Sequence, residues 1–169
     1  GGLPRVQELF EARNPKGKAI LSEFAGRVVF SDKKKKGMRL ILIEDPETGE
    51  LIQEYTVPVG EHLVVTNEML IEKGAKITDG PVSPHDILKI KGLVEAQQFI
   101  LESVQQVYRE QGVAVNDKHI EIIVKQMFQK IKIKEAGDSL FLEDELIDKK
   151  IVERENEKLI ANGKRPATY

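Results

Sequence analysis

The chain has 169 residues, a formal net charge of -2, 40% hydrophobic and 32% charged residues, and no cysteine. That length allows one or two modest domains with a real core. The near-neutral charge argues against a dedicated nucleic-acid binder with a strong basic excess, though not against a local basic strip. Disulfides and thiolate metal sites are excluded. No signal peptide is visible, and no apolar run approaches the roughly 20 residues that span a bilayer.

The first predicted element is a short helix over residues 3–13, with Leu3, Val6, Leu9 and Phe10 on one face. Pro4 suits its first turn, where a missing N–H costs nothing. Asn14-Pro15-Lys16-Gly17 ends it. Residues 18–80 read as β structure. Short apolar or alternating runs at 19–21, 28–30, 40–43, 51–57 and 62–65 alternate with turn signals, the strongest being Asp45-Pro46-Glu47-Thr48-Gly49-Glu50. Strands of this length and spacing predict a small barrel or sandwich.

Residues 83–131 are helical. Ser83-Pro84-His85-Asp86 offers an N-cap, a proline at the first position and a carboxylate in the first turn. A longer helix follows, with Leu93, Ile100, Leu101, Val104, Val107 and Tyr108 on one face and Gly112 placed to end it. A third helix begins at an Asp117 cap, and Ile120, Ile123, Val124, Met127, Phe128 and Ile131 follow its period. The tail is mixed: Ile131 and Ile133 alternate with lysines, Gly137-Asp138-Ser139 is a turn, Leu140-Phe141-Leu142 is a short strand, and 150–162 is a solvated helix ended by Gly163. The fold class expected is α+β: a β-barrel-like module over about 18–80, flanked by a short N-terminal helix and a C-terminal helical region. The start without Met and the abrupt end at Tyr169 read as cuts from a longer chain.

Several residue groups invite a chemical reading. Lys33-Lys34-Lys35-Lys36 could grip phosphate, but such a run is commonly a solvated hairpin tip that protects a sheet edge. No aromatic residue interleaves it, so a stacking platform is not expected. The stretch 68–77 resembles a lipoyl-type hairpin without the lysine context that cofactor attachment needs. His119 and Glu121 stand two apart, so they diverge on a helix, and no nucleophile is signalled beside them. The start of that helix fits phosphate better, since helix N-termini favour anions and Lys118 and Lys125 share a side. Arg5 and Arg13 read first as solvated charge. Asp144 with Asp148 and Glu153 with Glu157 have i, i+4 spacing on a predicted helix face, where a solvated acidic surface is far commoner than a metal site. His62, His85 and His119 lack ligand spacing.

Taken together, certain stretches resemble the bacterial RNA polymerase β′ (largest) subunit just after its trigger loop. They are Gly2-Leu3-Pro4-Arg5-Val6 with Leu9-Phe10-Glu11-Ala12-Arg13 and Pro15-Lys16, then Asp79-Gly80 with Pro84-His85, then Val107-Tyr108-Arg109 with Gln111-Gly112-Val113. Asn116-Asp117-Lys118-His119-Ile120-Glu121, Gln126-Met127 and Gly137-Asp138-Ser139 complete the series. Residues 31–66 match poorly in detail. The resemblance implies four regions: 1–17 as the C-terminal arm of the trigger loop, 18–80 as a module of the sandwich–barrel hybrid type, 81–135 as helices including a switch region, and 136–169 as a mixed tail. It implies that Arg5 and Arg13 belong to the trigger-loop base and that Lys118, His119 and Lys125 contact the DNA backbone, which fixes position without reading sequence.

The family's magnesium-binding aspartate triad, its bridge helix and the trigger-loop residues that touch the nucleotide are absent from this chain. The resemblance therefore implies no cofactor in this segment, with Mg2+ held elsewhere in the complete polymerase, and no polymerisation by the segment alone. Implied partners are the β, α, ω and sigma subunits with template DNA and RNA, in the cytoplasm and away from membranes. The rival reading is a free-standing β-barrel-plus-helices interaction module. The apolar stripe of the helix 118–131 separates the two: in a free-standing module it is covered, and in a machine part some of it is wet.

Overall fold

The structure is a computed structural model that describes residues 2–33 and 36–169; Gly1, the lysine pair Lys34–Lys35 and the side chain of Leu3 lie outside the described residues. Helices and antiparallel strands build an α+β fold, as expected. Two compact units divide the chain within one helix, the first running from Leu3 to Ser103 and the second from Val104 to Tyr169.

In the first unit, α1 (Gly2–Phe10) buries Val6 and Leu9 and leaves Phe10 half-covered. It stops short of residue 13 because Ala12 takes a left-handed φ of 50°. A four-stranded antiparallel sheet follows, ordered β3-β2-β1-β4, with β1 at Gly26–Phe30, β2 at Met38–Glu44, β3 at Leu51–Pro58 and β4 at Leu70–Ile71. The 45–50 turn forms as its composition predicts: Asp45 Oδ1 accepts the Glu47 N–H at 2.8 Å, and Gly49 takes a φ of 71°. Alternation along the strands sends Val28, Ile41, Ile43 and Val57 to one face, where they pack with Val65, Ile71 and Ile77.

The sheet is open, which corrects the expected barrel. The runs 19–21 and 62–65 supply isolated bridges, Leu21 to Lys76 and Leu63 to Thr78, in place of ladders. Their backbone groups reach residues 77–81 without a continuous ladder: the Val64 N–H donates to the Ile77 carbonyl at 3.0 Å and the Ile77 N–H to the Ile20 carbonyl at 2.7 Å, while the Ile20 N–H donates to Thr78 Oγ1 at 2.8 Å. Side-chain bonds of this kind compete with strand pairing.

Helix α2 (Pro84–Lys91) starts at Ser83 and ends at Gly92, whose φ of 95° separates it from α3 (Leu93–Glu110). Ser83 occupies the cap position, but its buried hydroxyl donates to Asn14 Oδ1 at 2.7 Å and does not cap the helix. Along α3, Ile100, Leu101 and Val104 are buried, Val107 and Tyr108 half-buried, and Leu93 exposed. Gly112 ends the turn after it at a φ of 71°, as its position suggests.

The second unit holds α4 (Asp117–Met127), the hairpin of β5 (Lys130–Lys132) and β6 (Leu146–Asp148), and α5 (Lys149–Ala161). Its core joins Ile133, Val152 and Ala167, with Ile131, Phe141 and Ile147 packed around them. Residues 140–142 are not a strand: Phe141 points to this core, while Leu140 and Leu142 stand exposed. Asp144 lies in a loop at a φ of 64° and Asp148 caps α5, so the two do not share a helix face; Asp144 instead pairs with Lys132 at 3.6 Å.

The last residues are pinned to the turn at 137–139. Asn156 brackets Ala167, donating to its carbonyl at 2.9 Å and accepting its N–H at 2.8 Å. Asp138 Oδ2 accepts the Arg165 N–H at 2.8 Å. That backbone hydrogen bond, with a smaller contribution from the Arg165 charge, lowers the Asp138 carboxyl below its ordinary value. A depressed folded-state pKa favours the folded form above the unfolded-chain value, and this contribution disappears as pH falls through the folded value. Asp138→Asn is therefore expected to destabilise the chain at pH 7 and to be nearly neutral once both forms are protonated. Urea titrations of both proteins from pH 7 downward measure this; a gap that does not narrow as the pH falls contradicts it.

Candidate functional site

Helix α4 carries the predicted DNA-contacting residues. Its start is set locally: Asn116 Oδ1 accepts the Lys118 N–H at 2.9 Å, and the Asn116 carbonyl accepts the His119 N–H at 3.1 Å. Gln105 Nε2 donates both to the Val115 carbonyl at 2.7 Å and to the Asp117 carboxylate, holding the cap against the end of α3. Ile120 and Val124 are buried at 2% exposure each, which turns the opposite side of the helix to solvent.

On that side Lys118, His119 and Lys125 are all exposed. At about 100° per residue, Lys118 and Lys125 fall within roughly 20° of each other and His119 stands about a quarter turn away. Exposed Ile122 lies between the lysines and His119, and Glu121 borders Lys125 on the other flank. The cap already occupies the Lys118 and His119 backbone N–H groups. Any phosphate on this face is therefore held by the lysine ammonium groups, with Glu121 limiting the net positive charge. The apolar stripe is divided: Ile120 and Val124 are covered, Met127, Phe128 and Ile131 half-covered, and Ile123 exposed at 45%.

Arg5 lies on α1 and Arg13 just beyond it, and each takes a local carboxylate, Arg5 with Glu8 at 3.6 Å and Arg13 with Glu11. Asn14, Ser83 and His85 stood out in the sequence, but not as the residues that together fix the end of α1. His85 Nε2 sits 2.7 Å from the Ala12 carbonyl, and a carbonyl only accepts, so this nitrogen carries the proton. With the Ser83–Asn14 bond, it ties the segment after α1 to the first turn of α2. Pro84-His85 was visible in the sequence, but its partner lies 73 positions away and left no local signal.

Among the described residues, no group of three or more His, Asp or Glu side chains is gathered to hold a metal ion. No helix among these residues is long and apolar enough to cross a membrane.

The family described as RNA polymerase Rpb1, domain 5 matches residues 5–158. The DNA-directed RNA polymerase subunit beta' of Fusobacterium nucleatum is 62% identical over 169 residues, covering 100% of this chain and 13% of that protein. The subunit of the same name from Acetivibrio thermocellus is 49% identical over 166 residues, covering 98% of the chain and 14% of the relative. That of Azoarcus sp. is 44% identical over 169 residues, covering 100% and 12%. The chain thus spans only 12% to 14% of the length of these relatives. Since the family match takes in α1, the sheet, and every later helix as far as most of α5, the chain belongs to the RNA polymerase Rpb1 domain 5 family.

Proposed function

We propose that this chain works as a segment of a DNA-directed RNA polymerase β′ subunit and supports template-directed RNA synthesis. The observation that carries the reading is the 62% identity over all 169 residues to a protein of that name. In this role α1, with Arg5 and Arg13, forms the base on which the trigger loop folds. The ties from Ser83 and His85 to residues 12–14 support it by fixing where that base ends. Helix α4 is the switch helix, and Lys118 and Lys125, with His119 beside them, hold the DNA backbone. The metal-bearing centre belongs to other parts of the enzyme, so the segment alone is a scaffold and not a polymerase. Its partners are the remaining polymerase subunits, template DNA and RNA, and its place of work is the cytoplasm. The exposed Ile122 and Ile123 on α4 favour this reading over a free-standing module, because such a module has no use for a wet apolar face beside its lysines.

The test is salt-dependent DNA binding by a polymerase whose β′ subunit carries this segment, compared with the Lys118→Ala/Lys125→Ala form. Each lost phosphate contact lowers the slope of log affinity against log salt by about 1. A slope reduced by about 2 for the double variant is expected. An unchanged slope and affinity would remove α4 from the DNA path.

A further inference from the structure

Residues 30–31, 33 and 36–41, together with Val59 and Leu63, line an open cleft of about 660 Å3 at one end of the sheet. Its apolar surface is Phe30, Met38 and Val59, exposed at 37%, 37% and 49%. Its polar surface carries Lys33, Lys36 and Arg39, and no carboxylate lines it among the described residues. None of these three cations is in an ion pair among the described residues. The walls are held in place: the Val59 N–H donates to the Gly37 carbonyl at 3.1 Å, and Arg39 Nη2 donates to the Val59 carbonyl at 3.3 Å.

We propose that this cleft docks an acidic peptide segment of a partner protein, with a large apolar side chain of that segment seated against Phe30, Met38 and Val59. The size is within the range of clefts that take a few side chains. An apolar floor under a cationic rim matches a ligand that alternates carboxylates with leucine or phenylalanine, because each half of the ligand meets its complement. Methionine adapts its shape to such a side chain. A nucleic-acid backbone satisfies only the rim: phosphates stay hydrated and leave the methionine and valine wet, and one phenylalanine is a poor platform for successive bases. The preformed walls reduce the ordering that binding must impose.

The experiment is fluorescence anisotropy of the 169-residue chain with a short fluorescein-labelled peptide that alternates leucine with glutamate. Saturable one-to-one binding is expected. Lys33→Glu/Lys36→Glu and, separately, Met38→Ser should each weaken it by about tenfold. Peptides with serine for leucine, or glutamine for glutamate, should lose as much, and these probes leave the protein unaltered. Absence of saturable binding overturns the proposal. So does binding indifferent to the leucine-to-serine change, which would reveal charge attraction alone. Tighter binding of a double-stranded oligonucleotide that displaces the peptide also overturns it and assigns the cleft to nucleic acid.

Discussion

Gly137→Ala is expected to unfold or severely loosen the second unit. Gly137 takes a φ of 58°, and a Cβ there would stand 2.5 Å from the Pro166 carbonyl oxygen and 2.7 Å from that of Arg165. Both are backbone atoms, held by the Arg165 N–H bond to Asp138 and by the Asn156 bracket on Ala167. They cannot swing aside as the end of a side chain would. The left-handed backbone alone costs a non-glycine residue on the order of 1–3 kcal/mol. Relief of the clash then requires moving residues 165–167, which removes Ala167 from the core around Ile133 and Val152. A total loss above about 3 kcal/mol is expected, a large part of the stability of a small unit. Hydrogen exchange followed by mass spectrometry should show protection lost across residues 130–168, with β1 to β3 still protected. Full retention of protection at 133–138 and 165–168 would contradict the packing described. By contrast, a Cβ at Gly74 would meet only the flexible end of Lys91.

Ile43→Ala should have the largest effect in the first unit. Ile43 is fully buried on β2, one of the two strands paired on both sides, and its Cγ2 would stand 2.8 Å from a Cβ built on Gly26. So close a fit leaves the surrounding side chains little room to collapse into the space that truncation creates. Isoleucine-to-alanine changes in cores cost about 2–5 kcal/mol, and the upper half of that range applies where the cavity persists. A urea titration that reads the sheet through Tyr55 fluorescence is the direct measurement, since Tyr55 packs against the same core and its hydroxyl accepts the Glu23 N–H at 2.8 Å. A cost below about 1 kcal/mol would mean that the core is not packed as described. Ile52, exposed at 37%, is the matching control, and Ile52→Ala should change little.

What the sequence disclosed followed the range of the interactions. Helix α4 was legible because its signals are local: an acid at its start and a regular apolar period lie within a dozen residues, although the cap is Asn116 and Asp117 is the first helical residue. The turn at 45–50 was legible for the same reason. Closure of the β module was not, because a run such as 62–65 looks like a strand whether it finds a ladder or a single bridge to Thr78. At 140–142 three apolar residues in a row read as a strand, yet only Phe141 packs inward and no neighbouring strand pairs with it. The turn at 137–139 was visible in its residues, while its lock onto 165–166 depends on atoms 27 positions away. Of the candidate site, the lysine spacing on α4 was readable, and so was Lys33-Lys34-Lys35-Lys36. The apolar cleft behind that run was not, because Phe30, Met38 and Val59 come together only when three strands align.

The reading as a working polymerase segment is tested most directly in the enzyme itself. The corresponding stretch of the Fusobacterium nucleatum β′ subunit would be replaced by these 169 residues, at 62% identity, and the subunit assembled with its partners. Template-directed incorporation of labelled nucleotides is then measured beside the parent enzyme. Incorporation within a few-fold of the parent is expected, and it should fall when the segment carries Gly137→Ala. An enzyme that assembles fully with this segment in place but makes no RNA would contradict the account.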